Sequence, residues 1–226
     1  ISQAISCILT AAVLAKKLKA ISADSKPRIF DKALLKELTI TSIPVILQQS
    51  FVSVGNFFIN KRINLLGEDA TTGFTTAFKL VCMANMGVVS MTNGLSNFCS
   101  QNKAAGEYAR IKKGYLAVLC YAMITSVCFL VLLVTFPQFF TNVFIQKEKL
   151  TEQAMAYSVQ FLIVVSSFLP VVCIKILSDG AVRGCGGNLG FTISTFADLA
   201  LRVALVYILT DAGWGFSGVC WAWSIG

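Results

Sequence analysis

A chain of 226 residues that is 56% hydrophobic and only 13% charged carries too little polar surface for a water-soluble body, so lipid is the expected solvent for most of it. The absence of histidine excludes Ser-His-Asp and Cys-His nucleophile arrangements and His-ligated metals. The formal charge of +8 comes from cations in short loops beside apolar runs, where a positive-inside topology accounts for them and nucleic acid does not.

The first apolar stretch, Ile1 to Ala15, is free of charge and reads as the end of a spanning helix. Because Ile1 opens inside one apolar segment and Gly226 stops another in mid-course, the chain reads as a fragment. Lys16, Lys17 and Lys19 follow the first apolar run instead of preceding it, which is the wrong order for a secretory leader. They begin a loop with a short amphipathic stretch to Lys36, expected on the cytoplasmic side.

Leu38 to Asn60 is the second expected span, with Pro44 near its inner end and Gln48, Gln49 and Asn56 along it. It exits at Lys61 and Arg62, followed by Glu68 and Asp69. Thr71 to Asn102 holds a third span that contains Lys79 and leads into a second cytoplasmic loop with Lys103, Arg110, Lys112 and Lys113. Gly114 to Phe136 is the fourth, ended by Pro137, and the connection to Glu152 mixes both signs, as suits the outer face. Gln153 to Ser178 is the fifth, returned by Arg183 and the Gly184-Cys185-Gly186-Gly187 turn. Asn188 to Thr210 is the sixth, and after a turn at Asp211 to Gly215 a seventh begins at Gly218. The expected fold is all-α, a polytopic transmembrane helical bundle. The eight cysteines show no Cys-x-x-Cys pair and sit mostly in apolar runs, so neither a disulfide framework nor a zinc site is indicated.

Ionisable groups inside the expected spans are the candidate functional residues. Lys175, Asp179 and Arg183 are spaced i, i+4, i+8, and Asp198 and Arg202 are i, i+4, so each set shares one helix face with alternating sign. A mid-span Asp or Arg costs roughly 2.5–3.5 kcal/mol on insertion scales, so the sixth span needs a bundle, a partner or water around it. Intramembrane acids mark proton and cation pathways, which singles out Asp198; the opposing reading is that these charges only lock neighbouring helices. Gln48, Gln49, Asn56, Lys79, Asn93, Gln101 and Asn102 are candidates to line a polar cavity, against the alternative of interhelical hydrogen bonding. Gly180 and Gly184 have the spacing that permits close helix packing. No phosphate-binding GxxxxGK[ST] motif is present, so an ATP-driven pump has no support.

Several blocks carry a family resemblance: Ile43-Pro44-Val45-Ile46-Leu47-Gln48-Gln49-Ser50; Asn93-Gly94-Leu95-Ser96 through Gln101-Asn102-Lys103-Ala104-Ala105-Gly106; Asp179-Gly180-Ala181-Val182-Arg183-Gly184; and Thr195-Phe196-Ala197-Asp198-Leu199-Ala200-Leu201-Arg202-Val203. Through them the chain resembles the C-terminal half of a MATE (multidrug and toxic compound extrusion) transporter, nearest the DNA-damage-inducible F-like branch. The resemblance implies twelve helices in two six-helix lobes. Residues 1–15 would end helix six, residues 16–36 would be the cytoplasmic interlobe loop, and residues 37–226 would form the C-terminal lobe, helices seven to twelve, the last truncated.

The implied activity is not enzymatic. It is secondary active export of drugs, organic cations or toxic solutes from a bacterial cell, across the plasma membrane, by antiport with H+ or Na+ through alternating access. The implied partners are the bilayer, a small-molecule substrate and the missing N-terminal lobe, with no nucleic acid, no metal and no cofactor beyond the coupling ion. The Na+-coupled branch carries an acid in helix ten, about three turns before the residues that Arg183-Gly184 match; here that region reads Val171-Val172-Cys173, and Leu38 to Asn60 holds no acid either. Coupling then falls to Asp198 or to the N-terminal lobe, with Arg202, Asp179, Arg183 and Lys175 as gating candidates. Two alternatives are a flippase for lipid-linked oligosaccharides or cell-wall precursors, for which Lys79, Lys175 and Arg202 speak, and a structural membrane module without transport.

Overall fold

The computed structural model describes residues 2–20, 31–144 and 151–226, almost all of them helical and none in a strand. Parts of the expected inner loop after Ala15 and of the outer connection before Glu152 lie outside the described residues. The chain divides into two units, Ile1–Ile43 and Pro44–Gly226. In the first, α1 (Ser2–Ala20) continues through Lys16, Lys17 and Lys19, where the sequence suggested a loop. Lysine is a good helix former and no glycine or proline interrupts the run. Asp31 caps the start of α2 (Lys32–Asn64), its Oδ1 accepting the Ala33 N–H at 2.8 Å and the Leu34 N–H at 3.3 Å.

The second unit is built around α3 (Glu68–Ala104), whose buried residues Phe74, Ala77, Val81, Ala84, Val88, Thr92 and Leu95 recur every three or four positions. Next come α4 (Tyr108–Thr135), α5 (Pro137–Phe144), α6 (Glu152–Ser167), α7 (Leu169–Gly184), α8 (Asn188–Leu209) and α9 (Gly215–Ile225). α5 lies inside the connection the sequence left without structure; Pro137 at its first position starts a helix at no hydrogen-bond cost.

The expected fifth span is two helices, α6 and α7, bent by 57° at Phe168 and extending to Gly184. Pro170 in the first turn of α7 has no N–H to continue the ladder, so the helix axis can change there without losing a donor. α3 runs parallel to this bent pair. At its start Thr151 donates to Asp69 Oδ1 at 2.6 Å, and at its end the Lys103 ammonium donates to the Cys185 carbonyl at 2.6 Å.

Between those points the backbones approach closely. A Cβ on Gly180 would lie 2.2 Å from Thr92 Cγ2, and one on Gly184 would lie 2.3 Å from the Ser96 carbonyl oxygen. The four-residue glycine spacing therefore makes a tight α3–α7 seam.

The turn Thr210–Trp214 folds α9 back along α8, using positive φ at Gly213 (88°) and Gly215 (51°). Gly218 then abuts Leu209 and Gly226 abuts Arg202, so the hairpin is antiparallel. α2 packs along α8 in the same direction: Phe51 meets Phe196 edge to face at 5.2 Å, Gly55 faces Leu199, and Arg62 reaches Thr210 at 2.7 Å and pairs with Asp211.

Among the described residues, three helical stretches are long and apolar enough to cross a membrane: Glu68–Ala104, Tyr108–Thr135 and Asn188–Ile225, the last doubling back at its turn. The bent α6–α7 pair, counted as one span, is a fourth. This is a multi-pass membrane protein. Its buried apolar residues form two clusters, one from Ile59 and Phe74 through Phe161 to Val219, the other from Val88 and Leu95 to Cys173 and Leu177. They meet near the α6–α7 bend, and a polar site lies beside it.

Candidate functional site

Asp198 on α8 is the carboxylate of the site. Lys175 on α7 donates to its Oδ2 at 2.7 Å, and the Arg202 Nη2, one turn along α8, lies 3.2 Å from Oδ1 and 3.3 Å from Oδ2. Only 15% of the Asp198 side chain is exposed. The carboxylate thus holds two cations at once, one within its own helix and one across to the neighbour. The Arg202 guanidinium also sits 4.7 Å from the centre of the Trp223 ring on α9. Its Nε is buried without a hydrogen-bond partner among the described residues.

Lys175, Asp179, Arg202 and Trp223, with Asn85 of α3 and Phe168 at the helix break, line a cavity of about 210 Å³. The cavity lies at the bend: Val165, Phe168, Leu169 and Val172 on its wall straddle the α6–α7 break. A second cavity of about 270 Å³ has Asn56 and Asn60 of α2, Phe74 and Phe78 of α3, and again Trp223 on its walls. Trp223 is therefore shared between a charged cavity and an aromatic-amide one. Its ring packs against Phe74 at 5.6 Å and Phe78 at 5.2 Å, both edge to face.

The sequence-predicted residues distribute unevenly. The Asp198–Arg202 spacing gives a direct ion pair, but the Lys175–Asp179–Arg183 face does not pair with itself. Lys175 crosses to Asp198, Asp179 lines the charged cavity without a salt bridge among the described residues, and Arg183 turns over the Phe191 ring at 4.9 Å. An i, i+4 pair on one helix contributes only about 0.3–0.5 kcal/mol. A carboxylate shared with Arg202 and mostly shielded from water offers the ammonium more.

Of the polar candidates, Asn56 lines the second cavity. Gln48 is buried, while Gln49, Lys79, Asn93 and Gln101 are exposed, and none of these lines either cavity. Asn102 is buried, and its side-chain amide donates to the Phe98 carbonyl at 2.7 Å within α3. No group of Cys, Asp or Glu among the described residues is placed to hold a metal ion.

Trp223, Asn85 and Asn60 escaped the sequence reading. A signal for Trp223 existed: a hairpin turning at Asp211 to Gly215 places residues about ten before and ten after its centre opposite each other, and these are Arg202 and Trp223. One carboxylate thus ties α7 to α8 through Lys175, and its protonation or displacement would leave two cations facing each other.

The sequence matches the MatE family model over residues 44–208. The fold is similar to the outward-facing structure of a multidrug resistance MATE family transporter of the MOP superfamily, with TM-score 0.78 and 18% identity over 91% of this chain and 45% of that one. It is similar to the inward-facing structure of such a transporter, with TM-score 0.75 and 18% identity over 89% of this chain and 46% of that one. A MOP superfamily transporter from Pyrococcus furiosus, described as having a binding pocket of reverse polarity, matches with TM-score 0.71 and 16% identity over 81% of this chain and 40% of that one. No curated protein matches the chain in sequence. The chain spans about half the length of the solved structures it resembles. With the family model covering well over half of its residues, the chain belongs to the MATE family.

Proposed function

We propose that the protein containing this chain is a secondary transporter that exports small organic solutes in exchange for H+ or Na+ by alternating access, and that this chain is its C-terminal lobe. The observation that carries the proposal is the Asp198 carboxylate shared by Lys175 and Arg202, two cations that line a cavity beside a helix break. Intramembrane acids are costly and rare and mark proton and ion pathways, and broken helices at mid-membrane depth are where transporters place their sites. Loss of the Asp198 charge would unhook α7 from α8, giving the lobe a second arrangement that a coupling ion can select. The placement in the DNA-damage-inducible F-like branch rests on the motif blocks alone.

Efflux of a cationic dye from vesicles holding the full-length protein, under separately imposed H+ and Na+ gradients, tests this. Gradient-driven efflux in the wild type and its loss in Asp198→Asn, at equal expression, is the expected result. Efflux unchanged in the mutant would remove Asp198 from the coupling path. A second reading, flipping of an anionic lipid-linked precursor, draws on the cations Lys175 and Arg202 at the cavity wall. Robust expression with no dye efflux under either gradient would favour it.

A further inference from the structure

Away from the charged site, α3 and α4 leave a groove of about 390 Å³ between them, lined by Met91, Gly94 and Phe98 on one side and Gly114, Val118 and Tyr121 on the other. Its walls are apolar apart from the Tyr121 hydroxyl. Two glycines shape it. Gly94 has open space where a Cβ would stand, and Gly114 lets the Phe98 ring come down as the floor, 2.3 Å from where a Cβ would be.

The groove is open along α4, where Tyr121, Leu116 and Ile124 are exposed. Within this chain that face is left uncovered, and on a helix this apolar an uncovered face is suited to lipid.

The stripe of α4 that lines the groove runs 114, 118, 121, and one turn before it on the same face stands Arg110. Arg110, Lys112 and Lys113 are exposed and form no ion pair among the described residues. On the facing helix Gln101 continues the stripe of Gly94 and Phe98, and it is exposed too. Length is the deciding quantity: at about 1.5 Å per residue, Tyr121 lies about 16 Å along α4 from Arg110. That is half of a hydrocarbon core of about 30 Å, the depth of one leaflet. The cationic end is the one the positive-inside rule places in the cytoplasm, where the leaflet carries anionic lipid.

We propose that the α3–α4 groove is a binding site for one anionic glycerophospholipid of the inner leaflet, its acyl chain seated between Gly94, Phe98 and Gly114 and its phosphate held by Arg110 and Lys113.

The test uses the full-length protein purified in mild detergent and supplied with equal phosphatidylglycerol and phosphatidylcholine, and reads retained lipid by native mass spectrometry. The wild type should retain one tightly held phosphatidylglycerol in preference to phosphatidylcholine. Gly94→Leu fills the groove without touching a charge and should abolish that retention, whereas Gly94→Ala should keep it. Arg110→Gln with Lys113→Gln should leave the groove occupied but reduce the preference about fivefold for each cation removed. Should Gly94→Leu not fold, a phosphatidylglycerol with a photoreactive acyl terminus should label the wild type on peptides holding Met91 or Tyr121.

Equal retention in wild type and Gly94→Leu, equal retention of the two lipids by the wild type, or labelling confined to other helices would each overturn the proposal. These readouts involve no transport, so they stand or fall apart from the antiporter reading.

Discussion

At the scale of single residues, the site depends on one acid serving two bases. Arg202 contributes charge to Asp198 and a flat face to Trp223, at 4.7 Å, so Arg202→Lys keeps the first and loses the stacking geometry. Its thermal midpoint should fall by an amount equivalent to about 0.5–2 kcal/mol, and a double-mutant cycle with Trp223→Phe should show coupling between the two positions. Trp223→Ala should cost about 3 kcal/mol, because a large ring held by Phe74 and Phe78 leaves a hole behind. It would also join the two cavities, so, on the proposed export function, the size of the bulkiest dye exported by the full-length protein should rise. Asp198 and Arg202 were legible because i, i+4 spacing on one helix is a local fact. The partner of Lys175 was not, since only packing decides whether a long ammonium stem reaches along its own helix or across to the next.

Among the elements, the α3–α7 seam and the α6–α7 break make opposite demands on the chain. Gly180→Ala places a methyl group 2.2 Å from Thr92 Cγ2, and overpacking of this kind costs about 1–3 kcal/mol. Thr92→Ala removes that methyl, so the double variant should recover part of the loss in a thermal melt, whereas additive losses would place the strain elsewhere. At the break, Pro170→Ala restores a backbone donor. Spin labels at the far ends of α6 and α7 should then move apart by up to about 6 Å, the difference between a 57° bend and a straight rod of the same length. The glycine spacing announced the seam in the sequence. The break at Pro170 was not read, because its neighbours are apolar enough for an unbroken span and hydropathy does not register a change of axis. α5 was hidden for the related reason that eight residues between two spans are too short for periodicity to show.

For the whole molecule, the ends of the helices sort into two sets. Arg62, Asp69, Thr151 and Asp211 are joined at one end, and Lys103 and Cys185 at the other. By loop charge the Lys103 end is the expected cytoplasmic one, because lysine and arginine are retained on the side from which a span is inserted. In a cysteine-free full-length protein, a cysteine at Gly67 or Gly213 should react with an impermeant maleimide applied to intact cells. One at Gly106 should react only after the membrane is opened. The fold class was the easiest property to read, since lipid leaves helices as the main economical way to satisfy a backbone. The order in which those helices touch was not legible, because it is set by small residues whose neighbours lie far along the chain. Where Gly180 meets Thr92 and Gly184 meets the Ser96 carbonyl, neither glycine has a side chain to act as a cushion, so α3 and α7 should move as one welded beam with the Phe168 break as its compliant joint. Distances measured across the weld should keep a single narrow distribution whatever gradient is applied, while those measured across the joint should broaden or split.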